Sequence, residues 1–146
     1  MGWESRRDED HEMNNFLVDS TVWIEFFKSG ENSIQAKLQE LILQENNIFI
    51  CPNIYQEVLQ GVRDNKAFKE IKDILLNAIM LNNEILFITE HAIDLYRSLR
   101  KKGITIRKPY DCLIASYAII NDIYLFHNDT DFDQIEKGSK LKIYKY

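Results

Sequence analysis

The sequence predicts an α/β fold built on a mainly parallel sheet with helices on both faces. Two observations carry this. Short strands that are apolar throughout and rich in Ile, Leu and Phe alternate with amphipathic helical patterns, as in buried parallel sheets. The chain has 146 residues, 45% apolar and 28% charged, which suits one domain around a single core.

The elements follow in order. "NNFLVD" (14–19) is a short apolar strand ending in Asp19, and "STVWIEFFKSG" (20–30) a helix that Ser20 or Asp19 can cap, with Gly30 just past its end. "NSIQAKLQELILQEN" (32–46) sets Ile34, Leu38, Leu41 and Ile42 at helical spacing. "NIFIC" (47–51) is a second strand, and Pro52 then opens the helix "PNIYQEVLQGVRD" in the position proline prefers. "AFKEIKDILLNAI" (67–79) is amphipathic, with Phe68, Ile71, Ile74, Leu75 and Ala78 on one side. "EILFI" (84–88) reads as a strand. "TEHAIDLYRSLRKKG" (89–103) reads as a helix capped by Thr89 and closed by Gly103. After the loop "ITIRKP", "KPYDCLIASYAII" (108–120) forms a helix; "IYLFH" is a strand, "DTDFDQIEKG" a short helix and "LKIYK" a last strand.

Several classes are excluded early. No apolar run approaches the roughly 18 residues of a membrane span, and the N-terminus lacks the apolar region of a secretory signal. Cys51 and Cys112 then read as reduced, buried thiols of a cytoplasmic protein. The net charge of −5 is uneven, with −3 on residues 1–12, a polar leader expected to be disordered, and −2 on residues 13–146, the expected single domain. No glycine loop of the phosphate-cradling kind occurs, which argues against a nucleotide-dependent enzyme.

The informative feature is where the acids fall. Asp19 ends the first strand, and Asp129 and Asp131 follow "IYLFH", again at a carboxyl end, where open α/β sheets bind ligands. Asp111 shares a helix face with Ile114, Ala115, Ala118 and Ile119, and Glu57 falls along the stripe of Ile54, Val58, Gly61 and Val62. Each has a plain reading as a helix cap, a dipole partner or an edge position. Together, acids from four separated segments point toward one place. Converging like charges repel by about 4 kcal/mol per close pair at an effective dielectric near 20, and a hard divalent cation resolves that conflict. A metal so held can bind a phosphodiester oxygen and activate water. Arg97, Arg100, Lys101, Lys102, Arg107 and Lys108 lie just before Asp111 with no acid between them, and read either as a solvated helix end or as a phosphate-contacting patch. His127 reads as structural, and a Cys112–His127 nucleophilic pair lacks an orienting third residue.

The segments "FLVDSTVWIEFF", "CPNIYQEVLQGVR", "GITIRKPYDCLIASYAI" and "LFHNDTDFDQI" resemble the PIN domain, and within it the VapC-type toxin ribonucleases of toxin–antitoxin pairs. The resemblance implies a three-layer α/β/α fold and a Mg²⁺- or Mn²⁺-dependent endoribonuclease. Asp19, Glu57, Asp111 and Asp129 would hold the metal, with Asp131 as a further, variable acid. Ser20 or Thr21, beside the first acid, would support the metal or a phosphate, and Arg107, Lys108, Arg100 and Lys101 would position RNA. It further implies a homodimer, neutralised by a cognate VapB-like antitoxin. Water as nucleophile gives 5′-phosphate and 3′-hydroxyl ends. The competing expectations are a PIN-like module that binds RNA or protein without cleaving, and a structure-specific DNA nuclease.

Overall fold

The computed structural model describes residues 15–146; the leader at residues 1–12 lies outside them. The elements are β1 (Asn15–Val18), α1 (Ser20–Phe26), α2 (Ser33–Leu43), β2 (Asn47–Ile50), α3 (Pro52–Gln60), α4 (Asn65–Leu76), β3 (Ile79–Met80), α5 (Ile85–Lys101), α6 (Pro109–Ile120), β4 (Tyr124–Phe126) and α7 (Thr130–Lys137). Every strand pair is parallel, in the spatial order β3-β2-β1-β4.

This order explains the layers. The chain steps outward from β1 to β2 to β3, then returns past β1 to lay down β4. A parallel crossover keeps one hand, so reversing direction puts its helices on the opposite face. The helices of the outward steps pack together, α1 on α2 and α3, and α3 on α4. Those of the return pack together as α5 on α6 and α6 on α7. The result is the expected α/β/α arrangement with a parallel sheet.

Core formation follows from the strand composition. Phe16, Leu17, Val18, Ile50, Leu125 and Phe126 are all buried, because both sheet faces are covered. α6 is buried nearly all round, and Ala115 and Ala118 let it lie close to its neighbours. Asp19, Asn32, Asp64 and Asp129 cap their helices through side-chain oxygens. Gly103, at φ +82°, ends α5 in the conformation glycine tolerates best.

Two elements differ from the sequence reading. "EILFI" is not a strand but the start of α5. Glu84 caps this helix by accepting from the N–H groups of Leu86 and Phe87 at 2.9 and 2.8 Å. Thr89 therefore lies inside the helix and donates to the Ile85 carbonyl. The strand of that region is the two-residue β3, Ile79–Met80. "LKIYK" contributes a single bridge, Leu125 with Ile143, supported by the bonds Leu125 N–H to Lys142 O and Tyr144 N–H to Leu125 O.

Candidate active site

β1 and β4 are neighbours, but their following segments leave toward different parts of the fold. This is the switch point of the sheet, and an open α/β fold has its crevice there, beyond the carboxyl ends. Val18 pairs with Phe126, and the Asp19 N–H donates to the Phe126 carbonyl at 2.9 Å. The residues leaving both strands are thereby held side by side.

Asp19 is 2% exposed and caps α1. Its Oδ2 accepts from the Thr21 N–H at 3.2 Å and the Thr21 hydroxyl at 2.6 Å. Burial raises its carboxyl above the usual range; the Thr21 bonds oppose this and the charge of Glu57 adds to it. Between the two hydroxyls expected beside the first acid, Thr21 makes the contact.

Asp111 lies in the first turn of α6, with Pro109 at the first helical position. Its side chain is buried, and its Oδ2 has no hydrogen-bond partner. Burial pushes the carboxyl up to about 7, helped by the charges of Asp129, Asp19 and Asp131 and opposed by Lys108.

Asp129 caps α7. Its Oδ1 accepts from the Asp131 N–H at 3.0 Å and its Oδ2 from Lys108 Nζ at 2.7 Å. Burial would raise this carboxyl, but the Lys108 and backbone bonds prevail and hold it below the usual range. Asp131, in the first turn of α7, takes the Arg107 guanidinium at 3.2 and 3.3 Å on its two oxygens.

One carboxylate oxygen from each of Asp111, Asp129 and Asp131 lies within 4.8 Å of the others. Three oxygen donors that converge, one of them orphaned and buried, suit a hard divalent cation. Asp19 adjoins this group, since its charge bears on Asp111. Glu57 corrects the sequence reading. It is exposed on α3 rather than on the inward stripe, beside a groove of about 230 Å³ shared with Ile24, Phe27, Val58, Val62 and Ile71. Its charge still reaches Asp19.

The basic run divides. Arg107 and Lys108 turn onto the acids, whereas Arg100 and Lys101 stay exposed in the last turn of α5, where the helix dipole favours cations. The grip of Lys108 on Asp129 was missed from sequence; the one available signal was its position three residues before Asp111. His127 is structural. Its Nδ1 accepts from the Asp129 N–H at 3.0 Å, its Nε2 lies 3.4 Å from Asp133, and burial lowers its pKa against the pull of Asp133 and Asp129. Cys112 is buried and its thiol is pushed up to about 11, which removes it as a nucleophile. Cys51 is also a buried free thiol.

Known proteins share this fold. The PIN domain family model matches residues 16–138. Ribonuclease VapC11 of Mycobacterium tuberculosis is 29% identical over 127 residues, covering 86% of this chain and 95% of the relative. A VapC ribonuclease of Mycobacterium bovis matches to the same extent. Among solved structures, VapBC2 of Rickettsia felis bound to a promoter DNA fragment superposes with a TM-score of 0.68 at 21% identity, covering 88% of this chain and 96% of that one. A toxin–antitoxin complex from Klebsiella pneumoniae superposes with a TM-score of 0.63 at 21% identity, covering 80% and 88%. With a family match running from β1 through α7 and its acids gathered at the switch point of the shared fold, this chain belongs to the PIN domain family.

Proposed function

We propose that this chain is an endoribonuclease toxin of the VapC kind, dependent on Mg²⁺ or Mn²⁺ and neutralised by a VapB-like antitoxin. The observation that carries the reading is the buried Asp111 Oδ2, without a hydrogen-bond partner, on a side chain that converges with those of Asp129 and Asp131. A buried polar atom without a partner is costly, and a cation supplies the missing partner. The names of the relatives support ribonuclease chemistry, and those of the solved complexes support an antitoxin partner.

Asp111, Asp129 and Asp131 are the proposed inner ligands. Asp19 and Glu57 would be outer acids of the same centre, since the charge of Asp19 bears on Asp111 and that of Glu57 on Asp19. The bound ion would polarise a phosphodiester and activate water. The chain's own part is to hold the acids in place. Thr21 orients Asp19, the start of α7 fixes Asp129, and Arg107 fixes Asp131. The exposed cations Arg100, Lys101 and Arg107 would attract the RNA backbone. The apolar groove beside Glu57 offers a seat for an amphipathic antitoxin helix. The exposed Ile85, Leu86 and Phe87 at the start of α5 favour a dimer face. Among the described residues no helix is long and apolar enough to cross a membrane; the two free thiols fit a reducing cytoplasm.

The test is cleavage of structured RNAs by the protein and by Asp111→Asn with Mg²⁺, Mn²⁺ or EDTA. Metal-dependent cleavage that the variant loses is expected, with 5′-phosphate products. Cleavage in EDTA, or equal cleavage by the variant, overturns the reading.

A further inference from the structure

We propose that Lys108 is a tethered rival of the metal: its ammonium holds the carboxylate oxygens a divalent cation would claim, and thereby sets the affinity of the centre. This inference rests on the metal-centre reading above. Lys108 Nζ lies 2.7 Å from Asp129 Oδ2, 3.9 Å from Asp111 Oδ2 and 3.9 Å from Asp131 Oδ2. It is thus a single cation set against all three convergent acids.

The competition is over particular atoms. Asp129 Oδ1 accepts the N–H of Asp131, and Lys108 holds Oδ2, the oxygen free of backbone bonds. A metal entering the cluster takes that oxygen from the ammonium. The backbone aims the side chain. Lys108 precedes Pro109, which favours extended conformation at this position, and its φ of −115° and ψ of 99° place it as the N-cap residue of α6, pointed at the start of α7.

Lys108 is also built to leave. Its side chain is 55% exposed, while those of Asp111, Asp129 and Asp131 are 9, 15 and 12% exposed. An ammonium on a flexible stem can return to water at small cost. Arg107 differs. It forks onto Asp131 alone and can stay when the ion enters. Charge balance agrees. With the three acids ionised, Lys108 and Arg107 leave the cluster at net −1; exchanging Lys108 for a divalent cation makes it neutral. The consequence is a centre that loads only when the free metal concentration is high enough to outcompete its own lysine.

The experiment measures Mn²⁺ binding to the full chain without RNA, at pH 8 and fixed ionic strength, by calorimetry and by the electron-spin signal of free Mn²⁺. The proteins are wild type, Lys108→Met, Lys108→Gln and the charge-matched control Lys101→Met. Both Lys108 variants should bind about tenfold more tightly, the scale of one charge-assisted hydrogen bond, and the control within about twofold of wild type. Independently, the Lys108 ammonium NMR signal of wild type should move along the Mg²⁺ binding curve. Equal affinities in wild type and the Lys108 variants, equal tightening by Lys101→Met, or an unmoved Lys108 signal at saturating Mg²⁺ overturns the rivalry and leaves the metal centre standing. No Mn²⁺ binding by any form, with cleavage in EDTA, removes both.

Discussion

The Thr21 hydroxyl donates to Asp19 Oδ2 at 2.6 Å and also accepts the backbone N–H of Asn128 at 3.0 Å. One oxygen thus ties the acid at the end of β1 to the loop that follows β4. Thr21→Val removes both bonds within nearly the same volume. We expect a loss of about 1–2 kcal/mol in denaturant unfolding. The Asp19 carboxyl should also titrate at higher pH, because the hydroxyl bond that opposed its rise is gone while the Thr21 N–H bond stays. Thr21→Ser should retain most of both properties. Cleavage profiles against pH would shift toward alkaline for the valine variant and stay in place for the serine one.

Asp111 should lower stability at neutral pH while serving the site. Its folded pKa of about 7 lies above the unfolded value of 3.8. Between these values the folded chain retains a proton the unfolded chain has released, so stability falls as pH rises from about 4 to 7 and stays low above that. In EDTA, Asp111→Asn should therefore unfold at higher denaturant at pH 8, by about 1–3 kcal/mol, and the gain should vanish near pH 4. Added Mn²⁺ should raise the melting temperature of wild type at pH 8, less below pH 7 where the ligand is protonated, and little in the variant.

On the proposed function, Arg107 should contribute to RNA binding more than to stability. Its side chain is 77% exposed, so its pair with Asp131 is screened by solvent. Arg107→Gln should change unfolding by less than about 1 kcal/mol. Affinity for single-stranded RNA should fall similarly for all sequences, with the salt slope reduced by about one. Filter binding at several salt concentrations measures both; a sequence-selective loss would mean base contact instead.

Gly138 is needed for space, not for an unusual backbone angle. A Cβ there would meet Leu99 Cδ2 at 2.6 Å and Ile104 Cδ1 at 2.9 Å, where the end of α7 lies on the end of α5. Gly138→Ala should cost about 1–3 kcal/mol in thermal or denaturant unfolding and leave metal affinity unchanged.

Local patterns carried much of this architecture, and their limits have physical causes. Asp19 and Asp129 were legible because a strand end followed by a helix start is a sequence feature, and the parallel sheet places both at one edge. "EILFI" misled because Ile85, Leu86 and Phe87 are good strand formers, yet in α5 they are 74, 61 and 59% exposed. The Glu84 carboxylate, which bonds two N–H groups ahead of it, outweighed that preference. Glu57 showed the reverse error. Its spacing matched a buried stripe, but Gly61 and Val62, which would have extended the stripe inward, lie at the open end of α3. The reach of Lys108 to Asp129, across 21 positions, depends on how α6 meets α7, and no local pattern encodes that.

The return path of the chain has a consequence for when the protein becomes dangerous. Asp19, Glu57 and Asp111 belong to segments made before β4, but two of the three carboxylates that converge, Asp129 and Asp131, lie beyond it. β4 is also the final strand, and it settles against the first. A growing polypeptide therefore holds its acids scattered until residues 124–131 have left the ribosome. On the proposed function, synthesis itself acts as a safety catch: a copy that stops short of β4 is harmless to the RNA around it, and one that includes β4 and its acids is armed.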